Sequence, residues 1–438
     1  MRMWIALGLL MAGGAYAQSA AERIAAYRHE GVATCAASQC HGATKVSDTQ
    51  AVQMNEFALW QEFDPHAKSY DTLQSPASKE ILRKLSLGKA DGGPTSGESE
   101  GCVDCHTEAV AVNKRGPRFQ LDDGVGCEAC HGGSEKWLAT HATATHAENL
   151  AAGMYPTEDP VARSALCLSC HVGTPDRMIT HRIMGAGHPR LSFELDTFTW
   201  LHPHYQIDAD YEARKGRFDG LRDWGIGQGT AAINMLDILL DKEVGWHGIF
   251  PELVLFDCHA CHRSMSGRQW APRQGTGLGP GTVRLNDSAL VMFRHVLAAV
   301  DPAGAERVLQ QSRDLHHATT ESRDRTLAVA RSLRSTLEEF NVRIAAFDFA
   351  PQTLGAILGS MVRDADRGEF RDFAAAEQAA MGVQSVVVAF ENGGLLDETS
   401  AAQLRSRVDA LYAAVEDDEH FAMDRFVAAL KSVRAAAP

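Results

Sequence analysis

The 438-residue sequence has few aromatic residues, little basic charge and no long apolar runs. Aromatics make up 7% of the residues, and 42 Lys and Arg stand against 56 Asp and Glu, which gives a net charge of −14. This acidic balance argues against negatively charged partners such as nucleic acid or an anionic membrane surface. A membrane-spanning helix needs about 20 consecutive apolar residues, and no segment beyond the N-terminus is predicted to be long enough.

The N-terminal residues 1–17 have the pattern of a secretory signal peptide. Arg2 supplies the positive start, Trp4–Met11 the apolar stretch, and Ala15–Ala17 a small-x-small cleavage site. The apolar stretch is too short to span a bilayer, although a retained N-terminal anchor is the alternative. We therefore predict an exported, soluble mature protein that begins at Gln18 and does not span the membrane after cleavage.

The ten cysteines fall into five pairs, and none is left over. An exported protein with ten cysteines would ordinarily contain disulfides, but a histidine directly follows the second cysteine of every pair. Four pairs have the spacing Cys-x-x-Cys-His, and the first has four residues between its cysteines. In chain order, motif 1 is Cys35, Cys40 and His41; motif 2 is Cys102, Cys105 and His106; motif 3 is Cys127, Cys130 and His131; motif 4 is Cys167, Cys170 and His171; motif 5 is Cys258, Cys261 and His262.

This spacing is that of covalent haem attachment. The two cysteines form thioether bonds to the macrocycle, and the adjacent histidine becomes the proximal ligand of the iron. Paired cysteines also bind zinc, but rarely with a histidine after every pair. The wider gap between Cys35 and Cys40 would also allow a small disulfide loop. We predict five covalent haem c groups and a periplasmic location, because the periplasmic side of bacterial membranes is where haem is attached.

Distal ligands must come from elsewhere in the chain. Nineteen histidines are present, and a second histidine on the iron gives a saturated, low-potential centre, whereas a methionine raises the potential and an empty position admits a substrate. Met178 and Met265 are the methionines nearest a motif and are the less favoured alternative. The predicted distal ligands are His66, His141, His181, His188 and His204, with His247 and His295 in reserve and His202 as an alternative to His204.

Several remaining histidines are predicted to have no role at a haem. His259, between the cysteines of motif 5, is predicted to turn outward, and His316, His317 and His420 are predicted to be solvated helix positions. By contrast, His181 and His188 lie on either side of Gly185 and Gly187, which would let the backbone approach a flat group closely.

We predict three regions along the chain: residues 1–17 as the signal peptide, 18–285 as a pentahaem cytochrome c domain, and 286–438 as a helical C-terminal domain. The last region has no cysteine, and apolar residues recur there with helical spacing, for example Ala330, Leu333 and Leu337. Within the haem domain, a long insertion at about 189–257 contains a predicted helix near 229–242.

The run Gly124–Gly133, GVGCEACHGG, resembles the multihaem cytochrome c-554/c-prime family. The stretches Trp60–His66 and Gly185–Arg190 are similar to segments of the same group, and the likeness covers roughly residues 30–265. That family includes tetrahaem electron carriers and is related to larger multihaem enzymes that act on nitrogen and sulfur compounds.

The resemblance implies a mostly α-helical protein with little sheet, built around closely stacked haems, to which the C-terminal helical bundle is added. It also implies bis-histidine ligation for most haems, with His66, His141 and His188 in ligand-bearing contexts. The stretched motif 1 and the additional motif 5 depart from the family, so no ligand pairing is carried over to motif 5. The lysine-ligated Cys-x-x-Cys-Lys motif of ammonia-forming nitrite reductases does not occur, which disfavours that activity.

Electron transfer between redox partner proteins is the function that these features favour, with no catalytic residue assigned. The acidic balance would suit a partner with a basic docking face. The first alternative is an oxidoreductase acting on a small nitrogen or sulfur compound at an open haem, with motif 5 as the predicted open site. Arg263, Arg268 and Arg273 would then bind an anion, or else pair with haem propionates. The second alternative is a sensing module that recruits a partner through residues 286–438.

Overall fold

The computed structural model describes residues 19–46, 52–85, 100–201, 203–262, 273–279 and 281–438. Within these ranges the chain forms twenty-one α-helices, seven short 3-10 helices and one antiparallel sheet of two strands. The prediction of a mostly α-helical protein with little sheet is therefore confirmed. The predicted signal peptide lies outside the described residues.

The helices that precede residue 286 are mostly short. They are α1 (Ala20–Ile24), α2 (Val32–Cys35), α3 (Glu56–Phe63), α4 (Ser69–Leu73), α5 (Pro76–Leu85), α6 (Glu100–His106), α7 (Cys127–His131), α8 (His146–Ala151), α9 (Pro160–His171), α10 (His181–Ala186), α11 (Leu195–Leu201), α12 (Ala209–Lys215), α13 (Gly220–Leu240) and α14 (Cys258–Cys261). The two strands are β1 (Trp246–His247) and β2 (Phe250–Pro251), with Trp246 opposite Pro251.

The C-terminal helices are longer. They are α15 (Ser288–Val300), α16 (Pro302–Glu321), α17 (Arg323–Ala345), α18 (Pro351–Asp366), α19 (Phe373–Asn392), α20 (Glu398–Tyr412) and α21 (Met423–Ala436). The 3-10 helices are Pro65–Lys68, Val112–Lys114, Leu121–Asp123, Ser134–Lys136, Leu253–Leu255, Gln274–Thr276 and Glu369–Arg371. Residues 286–438 are thus helical, as predicted.

The attachment motifs lie on or beside helical turns, because a helix places the two cysteines and the histidine near one another. Helices α6, α7 and α9 each end at a proximal histidine. The N-caps explain where some of these helices begin: Asp159 accepts the backbone N–H of Val161 at the start of α9, and Asp257 accepts that of His259 at the start of α14. Short capped helices therefore hold the predicted ligands.

Helix α13 belongs to the same apolar core as the C-terminal helices. Its Trp224, Leu236 and Leu239 are fully buried in a cluster that also contains Phe293 of α15 and Phe340 of α17. The predicted helix near 229–242 is found, but it begins earlier, at Gly220, where Asp219 caps the first turn. Glycines in its first half weaken the helical signal in the sequence.

Helix α19 runs through this core. Of the described helices, it is the one long and apolar enough to cross a membrane by length and composition, with a mean hydropathy of 1.3. The prediction that no segment after the N-terminus has the required length was therefore wrong for this helix. However, 78% of its most apolar 18-residue stretch is buried inside the protein. Such burial is typical of a helix in the core of a protein.

The contact between α19 and α13 predicts a large effect of a small substitution. A Cβ added at Gly382 of α19 would lie 2.3 Å from Cζ2 of Trp224, far closer than a carbon–carbon contact allows. We expect Gly382→Ala to lower the free energy of unfolding by about 1–3 kcal/mol, measured by urea denaturation followed by far-UV circular dichroism.

Gly355 of α18 provides the matched control. The nearest heavy atom to its added Cβ is 3.8 Å away, so Gly355→Ala is expected to stabilise the helix by roughly 0.5–1 kcal/mol. Equal stability of the Gly382→Ala variant and the unsubstituted protein would contradict the close packing of α13 and α19.

Candidate haem centres

The structure brings each predicted proximal histidine against one predicted distal histidine. Five pairs of imidazole rings result, with no histidine shared between them. The ring centroids are 6.1 Å apart for His41 and His141, 5.8 Å for His171 and His66, 6.4 Å for His106 and His188, 6.5 Å for His131 and His204, and 6.1 Å for His262 and His181.

These separations fit two ligands on one metal. A bond from an imidazole nitrogen to a metal is about 2 Å long, so two rings bound from opposite sides have centroids roughly 6 Å apart. Ordinary contacts between aromatic rings cover about 4.5–7 Å, and the distance alone is therefore not decisive. The one-to-one pairing of ten residues, chosen from nineteen histidines, is what favours haem ligation.

Five of the ten rings also have their Nδ1 atom engaged by the protein. A ligand histidine usually donates its second ring N–H to a carboxylate or carbonyl, which leaves the other nitrogen for the metal. Nδ1 lies 2.9 Å from Glu56 Oε2 in His41, 2.9 Å from Asp64 Oδ1 in His66, 3.0 Å from Ser69 O in His106, 2.7 Å from Leu138 O in His141 and 2.8 Å from Pro189 O in His188. In these rings Nε2 is left for an iron.

Burial keeps several of these rings neutral, the form in which imidazole binds a metal. It lowers the pKa of His131 to about 3, and, together with the nearby charge of His66, it lowers the pKa of His171 to about 4. The hydrogen bond to Glu56 has the opposite effect on His41 and outweighs burial, so that its pKa is raised.

A single segment around His66 serves two centres. Asp64 caps the 3-10 turn that carries His66, and the carbonyl of His66 accepts the N–H of Val125 at 3.1 Å. The carbonyl of Ser69, three residues later, lies 3.0 Å from Nδ1 of His106. Gly124 must be a glycine here, because its φ is +76° and a Cβ would lie 2.6 Å from the carbonyl oxygen of His66.

The cysteines of different motifs approach one another. Cys35 of motif 1 lies close enough to Cys127 of motif 3 to perturb its pKa. Cys105 of motif 2 is near Cys170 of motif 4 in the same way, and Cys130 of motif 3 is near Cys167 of motif 4. In space the motifs therefore follow the order 1, 3, 4, 2, which differs from their order in the chain.

Motif 5 is linked to motif 2 by helix α10. His181 begins this helix and pairs with His262, whereas His188 follows the helix and pairs with His106. Glu252, which is buried, accepts the backbone N–H of His181 at 2.7 Å. The fifth position in the spatial order is therefore beside motif 2.

The reserve ligands lie elsewhere. His247 is paired with the carboxylate of Glu252, and His295 is buried with its Nδ1 3.0 Å from Ser360 Oγ. Met178 packs against the apolar core. Arg263, Arg268, Met265 and His202 lie outside the described residues.

The structure corrects the predictions for Arg273, His316 and His259. Arg273 is buried and bonded to Asp287, Glu369 and Asp372, so it is available neither to an external anion nor to haem propionates. Burial alone would raise the pKa of Asp287, but Arg273 holds it well below its usual range. His316 was predicted to be solvated, but it is only 1% exposed. Its Nε2 lies 3.1 Å from the buried carboxylate of Asp287.

His259 is also not turned outward. Its ring centroid is 5.4 Å from that of Phe373, and its Nε2 is 3.6 Å from Asp418. His317 is exposed on α16, as predicted. His420 is exposed too, but it lies in the turn between α20 and α21 and not on a helix.

A buried cluster around motif 3 was missed in the sequence. His29 is fully buried, with Nδ1 2.6 Å from Glu108 and Nε2 3.0 Å from the carbonyl of Ile24. Glu128, between the cysteines of motif 3, accepts the backbone N–H groups of Gly31 and two other residues. The one sequence signal was an acidic residue inside an attachment motif. The cluster fastens the N-terminal segment to motif 3.

Comparison with known proteins also supports c-type haem binding. Residues 31–132 match the family model described as cytochrome c554 and c-prime. The chain is also similar to cytochrome c-554 of Nitrosomonas europaea, with 26% identity over 239 residues, which is 48% of this chain and 91% of that protein. No solved structure gives a significant match. The matches support a c-type cytochrome of the cytochrome c554 family.

Proposed function

We propose that this protein is a periplasmic multihaem cytochrome that transfers electrons through five covalently attached haems. The observation that carries the proposal is the pairing of all five predicted proximal histidines with five different histidines at 5.8–6.5 Å. A haem with two histidine ligands has no free position for a substrate, which favours electron transfer over catalysis.

The ten cysteines of the five motifs would attach the haems, and the five histidine pairs would ligate them. A bound haem supplies an iron that changes between ferric and ferrous states, while the protein sets its potential through ligand identity, hydrogen bonds and burial. The Nδ1 bonds of His41 and His66 to carboxylates make those rings more basic ligands than rings bonded to carbonyls.

We infer a single path through the five centres, in the order 1, 3, 4, 2, 5. The contacts between cysteines support the first three steps of this order, and helix α10 supports the fourth. Electrons would enter at one end of this series and leave at the other. The net charge of −14 supports a redox partner with a basic docking face.

The alternative of an open catalytic haem at motif 5 has less support. It depended on the lack of an obvious distal ligand for His262, but His181 lies within 6.1 Å of that ring. Arg273 is also held by three carboxylates and cannot serve as an anion site.

Haem content and low-temperature EPR on one sample of the oxidised protein would test the proposed function. We expect five haems per chain and only low-spin ferric signals, because every iron would have two histidine ligands. A high-spin signal equivalent to about one haem in five would instead indicate an open position, and would favour the oxidoreductase alternative.

A further inference from the structure

We propose that the first two turns of helix α19 position motif 5 against motifs 2 and 4, with Asp372 and Glu377 as the positioning residues. This inference rests on the proposed function, since it concerns the relative placement of three of the five centres. It assigns a role in electron transfer to a helix of the cysteine-free C-terminal region. Three separate contacts within residues 372–378 carry it.

The first contact is with motif 5. Asp372 is buried at the N-terminus of α19 and binds Arg284, with 2.9 Å between its Oδ2 and Arg284 Nε. Arg284 also binds Asp257 at 2.6 Å. Asp257 is the N-cap of α14, the helix that carries both cysteines of motif 5. The attachment helix is thus joined to α19 through one arginine and two buried carboxylates.

The second contact is with the segment after the distal ligand of motif 2. Both carboxylate oxygens of Glu377 bind Arg190, each at 2.9 Å, and Oε2 also accepts the hydroxyl of Ser192 at 2.7 Å. The guanidinium of Arg190 lies 5.4 Å from the ring centroid of Phe373. Arg190 follows His188 by two residues, so the bidentate pair fixes the chain next to that ligand.

The third contact is with motif 4. Gln378 is buried and donates from Nε2 to the carbonyl of Phe193 at 3.2 Å. The ring of Phe193 stacks on the proximal histidine of motif 4, His171, with 4.5 Å between centroids and 23° between planes. The same helical segment therefore contacts the surroundings of three different centres.

The energetic character of these contacts suits positioning better than stabilisation. A buried ion pair gains little net stability, because desolvation offsets most of the Coulomb attraction. A bidentate pair between arginine and a carboxylate nevertheless fixes the relative orientation of the two side chains. Since all three contacts come from one rigid helix, a shift of α19 changes the placement of the three centres together.

The substitution Glu377→Gln tests this inference, because it keeps the shape of the side chain and removes its charge. We expect five haems per chain as before, changed EPR g values for one low-spin centre, a shift in one midpoint potential, and slower electron equilibration between the centres after flash reduction. Arg190→Lys, which keeps the charge and loses the bidentate geometry, is expected to give the same spectral change and serves if the first variant does not accumulate.

Glu391→Gln is the matched control. Glu391 lies on the same helix and forms a 2.8 Å pair with Arg405, so its substitution should leave the spectra, potentials and rates unchanged. The reversed pair Glu377→Arg with Arg190→Glu is expected to restore the original signals. Original g values, potentials and rates in Glu377→Gln would overturn the inference, whereas the lack of five low-spin haems in the unsubstituted protein would overturn the proposed function instead.

Discussion

Replacing His181 with alanine is expected to convert one of five low-spin centres to high spin while all five haems stay attached. In the proposed arrangement, Cys258 and Cys261 attach the haem of motif 5, and the substitution does not touch them. The proposed distal ligand is the imidazole of His181, whose ring centroid lies 6.1 Å from that of His262. Loss of that imidazole opens one coordination position, at which a small ligand can bind.

The measurement is EPR of the oxidised variant, with spin quantified against haem content and with cyanide added as a probe of the open position. His420→Ala is the control, because His420 is exposed and its Nδ1 is bonded only to Asp417, 2.8 Å away. An unchanged, fully low-spin spectrum in His181→Ala would show that this residue is not a ligand. His181→Met should instead stay low-spin and raise one potential, within the range of roughly 0.8 V that axial ligands control.

Removal of both cysteines of motif 1 is expected to lower the haem content from five to four per chain. The Cys35→Ser, Cys40→Ser double variant loses both thioether bonds, and His41 alone cannot hold a haem covalently. The structure favours a haem here over a disulfide loop, because His141 faces His41 with 6.1 Å between the ring centroids. Mass spectrometry of the intact chain measures the change directly.

The Cys102→Ser, Cys105→Ser variant is the positive control, since motif 2 has the regular spacing and should also lose one haem. Four haems in the unsubstituted protein, together with no further loss in the motif 1 variant, would refute the prediction and restore the disulfide interpretation of Cys35 and Cys40.

Much of the candidate site could be predicted from the sequence, because covalent attachment leaves a local signature. A proximal histidine is adjacent to its cysteines, so spacing alone identifies it. A distal histidine has no such constraint. His66 faces His171, more than a hundred residues later, and only the fold decides which histidine meets which motif. Local context therefore suggested a set of distal candidates, while their pairing with the motifs needed the fold.

The errors concern charged residues whose partners are distant in the chain. Arg273 pairs with Glu369 and Asp372, which lie just before α19 and are far from Arg273 in the chain. Only the folded structure brings these residues together. His316 has polar neighbours in sequence, yet it faces Asp287 on the inner side of α16. Charged residues are mostly exposed unless they are paired. A charged side chain is therefore predicted to be solvated unless its buried counter-ion is known.

The five histidine pairs have a topological consequence. Each pair closes a loop of chain: 41–141, 66–171, 106–188, 131–204 and 181–262. Each of these loops overlaps with the next one along the sequence. Any backbone cut between residues 41 and 262 therefore places the two histidines of at least one pair on different fragments. A cut between 41 and 66 or between 204 and 262 separates a single pair, whereas one between 131 and 141 separates four. Either of the first two cuts leaves four pairs on one fragment, but a cut in the middle of this region leaves only one pair intact.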